Sequence, residues 1–500
     1  MKKARAGSRL FALGKKGESM GKITVVGLGP GNGRFLTRAA WETLSQAEVA
    51  YLRTERHPAV ADLPAHVTRH SFDPIYDTAD SFETVYETIV AELLALAGQA
   101  DVVYAVPGHP FVGESTVTRL VTQAKEAGVS VEIVAGLSFV EPCLTAVQQD
   151  GMDGVQIFDA IELTQYLYPP VNPDFPLLLG QVYSRMLASE LKLVLTAVYP
   201  DEHPVTLIHQ AGEDEQVVEQ ILLYEIDRSD RVDHLTSLFV PPLSNPASLA
   251  NLAETVAILR SPDGCPWDQE QTHQSLRSGF LEEASEVLAA IDDDDMEGLR
   301  EELGDVFYHL VMQIQMASEA EAFRLTDVLA NIDAKLKYRH PHVWGDWQVQ
   351  DSEEVIQNWE MLKAREKADR SDSLVDHIPQ ALPALARSQK LQTRVRQVGF
   401  DWPDIEGVYE KVQEEISELR EAVSPEHRAE ELGDLLFVVV NLAKWLDIDA
   451  ESALREANAK FSRRFRALEK LAQTRQLALA EMDLDSLEAL WQEVKVQLSD

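Results

Sequence analysis

Up to about residue 242 the chain alternates short β-branched runs with stretches of helical periodicity. The runs are ITVVGLG from Ile23, DVVYAVPG from Asp101, VSVEIVAG from Val129, PLLLGQVY from Pro176 and PVTLIHQAG from Pro204. Strands separated by helices predict a layered α/β architecture. Beyond VPPLSNPAS the turn residues thin out, and apolar positions recur three and four apart, the period of amphipathic helices. The proline-bounded PPLSNP, Pro241 to Pro246, is therefore the expected boundary between an α/β half and an all-α half.

The helical half repeats itself. One copy reads LEEASEVLAAID, a gap, then REELGDVFYHLVMQIQ; the other reads QEEISELREAVS, a gap, then AEELGDLLFVVVNLAKWL. Each gap fits a short turn between two antiparallel helices, so the half holds two duplicated helical modules. SDSLVDHIPQALPA, Ser371 to Ala384, joins them. The expected organisation is a basic tail over 1–20, an α/β domain over 21–242 and helical bundle modules over 247–370 and 379–500.

In the second copy Val412, Ile416, Leu419 and Val423 recur at helical spacing and define an expected buried stripe. Glu415 and Glu418, three apart, project beside it. Glu431 and Asp434 are also three apart and precede LLFVVV, which is apolar on every side and predicts a helix inside a bundle. Carboxylates carried toward a dry interior are costly unless paired or metal-bound, and only His427 and Arg428 stand in the gap as counter-charges. Converging acids point to a divalent cation. Glu-x-x-His pairs of a di-iron site are lacking, and all-oxygen ligands favour Mg²⁺, with Mn²⁺ in its place. Magnesium held this way usually meets substrate phosphates. The competing reading is a solvated acidic face, and a single ExxE would not outweigh it; the doubled ExxE-plus-ExxD pattern does. Gly304 and Gly433 sit inside these helices, where glycine costs about 1 kcal/mol against alanine, which points to close approach of a helix or ligand.

Acidic residues number 83 against 45 basic ones, a net charge of −38. That field repels phosphate backbones and argues against nucleic-acid partners. Cys143 and Cys265 form no CxxC or CxxxC pattern, which argues against a disulfide framework or thiolate zinc site and fits a reducing cytoplasm. No apolar run approaches the roughly 18 residues needed to cross a bilayer. The basic residues before Met20 read as a disordered tail, with Met20 an alternative start.

EEISE followed by EELGD, together with ALREANAKFSRRFRALE and the terminal LEALWQEVK, resembles the MazG family of nucleoside triphosphate pyrophosphohydrolases. GCPWDQEQTHQSLR and KYRHPHVWGD extend the resemblance through the first copy, so that it covers residues 247–500. The resemblance implies Mg²⁺-dependent cleavage of NTPs and dNTPs between the α and β phosphates, to monophosphate and pyrophosphate. It implies Glu415, Glu418, Glu431 and Asp434 as metal ligands and Glu414 and Glu430 as supporting acids. Lys460, Arg464, Trp491 and Lys495 would contact the triphosphate or base. His427 stands where the family pattern has lysine. In the first copy Glu282, Glu283, Glu286, Glu302 and Asp305 match the acids, and Lys335, Arg339, Trp359 and Lys363 occupy the comparable basic and aromatic places. The second copy is expected to be the catalytic one.

ITVVGLGPGNGRFLT is a strand followed by a glycine-rich turn, but Asn32 breaks the GxGxxG dinucleotide fingerprint. With VYAVPGHPFVGEST, VEIVAGLSF and QVYSRMLASELKLVLTAVYPDEHPV, it resembles the tetrapyrrole methylase family over residues 21–240. That resemblance implies S-adenosylmethionine in a cleft between two α/β subdomains, and a homodimer. Gly29, Pro30, Gly108, His109, Phe111, Val112, Ser138 and Phe139 would line the cofactor site. The family's Gly-Asp-Pro reads Gly-His-Pro here at 108–110. The fusion of the two families resembles a bifunctional bacterial architecture. Two other classes share these features: a non-catalytic nucleotide sensor or scaffold, and an enzyme that is principally a methyltransferase with regulatory helical modules.

Overall fold

The computed structural model describes residues 21–79, 81–367, 373–376 and 378–498. The expected tail and parts of the 371–384 joint lie outside the described residues. The chain forms two compact units, divided between Leu259 and Arg260.

The first unit holds two five-stranded sheets. Strands β1 (Ile23–Gly27), β2 (Val49–Leu52), β3 (Thr68–Ser71), β4 (Val102–Val106) and β5 (Val131–Val134) form an all-parallel sheet in the order β3-β2-β4-β1-β5. β1 is buried along its whole length, as a parallel strand covered on both faces must be. Apolar clusters pack on the two sides, one around Ile23, Val25, Ile89 and Leu120 and the other around Val26, Leu28, Leu44 and Leu52. Strands β6 (Gln156–Asp159), β7 (Leu177–Gly180), β8 (Pro204–His209), β9 (Val217–Leu222) and β10 (Thr236–Val240) form a mixed sheet in the order β6-β7-β10-β8-β9. Only β6 and β7 run parallel; the other pairs are antiparallel. The five β-branched runs coincide with β1, β4, β5, β7 and β8. Helix Leu249–Arg260 follows the proline-bounded stretch, and Asp174 accepts hydrogen bonds from the Ala247 and Ser248 amides at its start.

The second unit is helical throughout. In the first copy helix Arg277–Asp292 turns into Met296–Glu319, where Asp295 caps the second helix through the Gly298 amide. In the second copy Ile405–Glu421 turns into Pro425–Trp445. Ser424 accepts from the His427 amide at 3.1 Å, and Pro425 occupies the first turn, where its missing N–H costs nothing.

The helical half departs from the sequence pattern at two places. Val412, Ile416 and Leu419 are partly buried, but Val423 is 86% exposed because the helix ends at Glu421. The LLFVVV helix is covered on one face only. Val438 and Val440 are buried, whereas Leu432, Leu436 and Val439 form an exposed stripe at i, i+4 and i+7. Leu303, Phe307 and Leu310 repeat that stripe in the first copy. An apolar run longer than one chain can cover thus leaves matching faces open.

Candidate functional site

The turn between helices brings the acids together. In the second copy Glu415, Glu431 and Asp434 each offer an oxygen within 4.8 Å of the others. Glu283, Glu302 and Asp305 do the same in the first copy. Glu418 and Glu286 flank these groups. Burial and the Glu415, Glu431 and Glu414 charges push Glu418 above the usual carboxylate range, against the opposing pull of Lys411.

Glu415 is 4% exposed, and its Oε2 is buried without a partner among the described residues. An orphaned carboxylate oxygen is expensive, and the same side chain stands beside two further acids. This is the donor set a hard divalent cation fits: oxygen-only, converging, with one ligand atom otherwise unsatisfied. Glu415 Oε1 lies 2.8 Å from Lys411 Nζ, which also binds Glu414 Oε1 at 2.8 Å. These carboxylates hold the Lys411 ammonium well above its ordinary pKa. His427, in the family's lysine position, places Nε2 2.9 Å from Glu431 Oε1. Sequence reasoning missed Lys411, although its i, i+4 spacing to Glu415 was a usable signal.

The copies differ at this point. Gly279 stands four residues before Glu283, where Lys411 precedes Glu415. A Cβ on Gly279 would come within 2.9 Å of the His309 ring, which is buried and lies 3.9 Å from Glu283 Oε1. Burial lowers the His309 pKa, so the imidazole is the poorer counter-charge. Consistently, burial and neighbouring carboxylates push Glu283 and Glu302 above the usual range.

The remaining expected residues sit on the helix pair Ala450–Thr474 and Leu484–Gln497. Lys460 is exposed, while Arg464 and Lys495 are half-buried. Glu430 is exposed on the acid-bearing helix. Trp491 packs 5.3 Å from the Phe461 ring and joins a cluster with Leu468, Leu490 and Val494. In the first copy Arg339 and Lys363 lie 5.5 and 4.5 Å from the Trp359 ring centre, both within cation–π range.

In the α/β unit the ends of β1, β4 and β5 meet through glycine. Gly29 and Gly108, both at positive φ, exchange backbone hydrogen bonds of 3.2 and 2.8 Å. A Cβ on Gly136 would lie 2.4 Å from the Gly108 carbonyl oxygen. Gly108 lines a cleft of about 560 Å³ at the carboxyl ends of the parallel strands, where α/β sheets bind ligands. Of the expected residues Pro30, Gly108, Val112 and Phe139 line it. His109 instead closes a turn, its Nδ1 accepting from the Phe111 amide at 3.1 Å, and Phe111 is half-exposed. Ser138 is buried and donates to Glu141 at 2.6 Å. The sequence reading also missed Arg53 and Glu114, a pair 3.0 Å apart in the cleft wall, with Glu114 buried and Arg53 partly so. Arg53 is further enclosed by the rings of Tyr76 and Tyr86.

An α/β unit with a strand-end cleft, joined to paired helices carrying doubled carboxylate cages, defines a two-part enzyme class, and the comparisons agree. The model for Tetrapyrrole (Corrin/Porphyrin) Methylases matches residues 22–227. The model for the MazG nucleotide pyrophosphohydrolase domain matches 271–344 and 405–468. The Uncharacterized protein YabN of Bacillus subtilis (strain 168) is 40% identical over 95% of this chain and 98% of its own. The Nucleoside triphosphate pyrophosphohydrolase of Escherichia coli (strain K12) is 46% identical over 48% of this chain and 95% of its own. The Nucleoside triphosphate pyrophosphohydrolase/pyrophosphatase MazG of Thermotoga maritima is 44% identical over 47% and 91%. The chain belongs to the MazG nucleotide pyrophosphohydrolase family, in the form that carries a tetrapyrrole methylase domain ahead of the helical modules. No helix among the described residues is long and apolar enough to cross a membrane.

Proposed function

We propose that the second helical module hydrolyses NTPs and dNTPs to monophosphate and pyrophosphate. The observation that carries this reading is the convergence of Glu415, Glu431 and Asp434, with a Glu415 oxygen buried and without a partner among the described residues. Glu415, Glu418, Glu431 and Asp434 would hold Mg²⁺, which supplies charge neutralisation on the phosphates and acidifies a bound water. Glu414 and Glu430 are the nearby acids for receiving the proton from the attacking water. Lys411, on Glu415 Oε1 and Glu414 Oε1, adds a positive charge beside the cage that would favour the phosphates. Lys460, Arg464 and Lys495 would neutralise the pyrophosphate leaving group. A ³¹P NMR time course with ATP and Mg²⁺ tests the reading: AMP and pyrophosphate are expected, and ADP with inorganic phosphate would refute it.

The first module keeps the acids but lacks the lysine of Lys411's position, so its cage is a weaker catalyst. The α/β cleft is assigned to S-adenosylmethionine on the family match and the glycine-rich strand ends, with Pro30, Gly108, Val112 and Phe139 as walls. The exposed leucine stripes are assigned to a homodimer contact, since a second copy presents the same apolar face. Small-molecule nucleotides are the partners this reading requires, in a cytoplasmic setting.

A further inference from the structure

A second cavity, about 530 Å³, opens beside the acid-bearing helix of the second module. Leu391, Val395, Phe400, Trp402 and Phe437 give it aromatic and aliphatic walls. Two amide side chains line it as well. Gln392 is 3% exposed and Asn441 is 6% exposed. Gln392 Nε2 donates to the Phe437 carbonyl at 2.7 Å, which fixes the orientation of the amide and leaves Oε1 as an acceptor. That Oε1 and Asn441 Oδ1 are both buried without partners among the described residues. Buried acceptors are normally satisfied, so two of them in one apolar cavity point to a ligand that donates.

The cavity is built to keep its shape. Gly399 turns the preceding loop at positive φ. Asp401 then anchors it to the acid-bearing helix, 2.7 Å from Lys444 Nζ and 3.3 Å from Trp445 Nε1. Phe437 and Asn441 follow Asp434 by one and two turns on the same helix face, a rise of about 4.5 and 10.5 Å. A nucleotide whose phosphates meet the carboxylates can therefore reach the cavity with its base. Trp491 is committed to its own cluster, whereas Phe400 is 75% exposed. The first copy carries buried Met312 seven residues after Asp305, where the second has Asn441.

We propose that this cavity is the base subsite of the second module and that Gln392 and Asn441 select bases with an exocyclic amine at C6 of a purine or C4 of a pyrimidine, adenine and cytosine. The proposal rests on the nucleotide reading above. Two acceptors match the exocyclic amine that adenine carries at C6 and cytosine at C4. Hypoxanthine and uracil carry a carbonyl oxygen at those positions and would set an acceptor against the two amide oxygens, a mismatch that polar sites reject strongly.

The test compares kcat/KM for ATP against ITP and CTP against UTP in the full-length protein with Mg²⁺. The amine-bearing member is expected to be favoured about tenfold or more, and Asn441→Leu should cut the ratio to below about threefold. Gln392→Leu is the second variant, in case one substitution disturbs folding. A purely structural amide would lower thermal stability without moving the ratio. Equal use of both members by the wild type, or a ratio unmoved in both variants, overturns the proposal while leaving the hydrolase reading intact. If no triphosphate is cleaved, calorimetric titration with AMP and IMP decides: tighter AMP binding lost in Asn441→Leu supports the subsite, and equal or absent binding overturns it.

Discussion

Replacing Glu415 by glutamine keeps the side chain's size and removes one negative charge from the carboxylate cage. Two unit charges 4.8 Å apart repel by roughly 3.5 kcal/mol at an effective dielectric of about 20. Asp434 is exposed and Glu431 partly buried, so solvent screening reduces the repulsion, most for the Asp434 pair, toward about 1 kcal/mol. The substitution relieves that repulsion and forfeits the Lys411 contact of similar size. The metal-free variant should therefore unfold within about 1 kcal/mol of wild type. Magnesium should separate the two proteins. At a hundredfold excess over its dissociation constant it should stabilise the wild type by about 2.7 kcal/mol. For a unit of this length that is a rise of roughly 5–10 °C in the melting temperature. Differential scanning calorimetry with and without Mg²⁺ should show the rise in wild type and its loss in Glu415→Gln. Turnover should fall by about 10³-fold or more, the scale of losing a preorganised electrostatic contact. A variant that retains both the magnesium shift and the activity would refute the cage.

Glu283→Gln should leave a larger fraction of turnover than Glu415→Gln, because the first cage lacks a lysine; equal loss in a pyrophosphate-release assay would show that both modules work. Burial lowers the His57 pKa to about 4, and its Nδ1 is buried without a partner among the described residues. The neutral form is favoured in the folded state, so this stability is present above about 6.5 and drains away as pH falls toward 4. Histidine-selective NMR should place the His57 titration near 4, and a midpoint near 6.5 would contradict its burial. The buried Cys143 thiol is pushed up to about 11, so iodoacetamide at pH 8 should modify half-buried Cys265 and spare Cys143 until the protein is denatured.

The strand-helix alternation was legible wherever β-branched residues ran unbroken, as in ITVVG of β1. β2 and β3 are four residues long, and β3 reads TRHS, an edge strand without an apolar signature. No periodicity marks such a strand, which tertiary pairing with β2 defines. The carboxylates were legible because duplication set them against a core twice. The side chains that tune the cage were less so. Lys411 acts through i, i+4 geometry on one helix, whereas Gln392 and Asn441 line one cavity from helices Ala384–Arg396 and Pro425–Trp445, with a further helix between them in the chain. Arg53 and Glu114 pair across the sheet's strand ends. A sequence carries little trace of contacts that only folding creates. Val423 and the outer face of LLFVVV misled for the opposite reason: a helical stripe gives direction but not where the helix stops or how much of it one chain can cover.

Single-turnover hydrolysis of ATP in ¹⁸O-labelled water, with products separated by mass spectrometry, tests the central claim most directly. Water attacking the α phosphorus within the Glu415–Glu431–Asp434 cage places one labelled oxygen in AMP and none in pyrophosphate. Label in pyrophosphate, or products of ADP and labelled phosphate, would contradict the account.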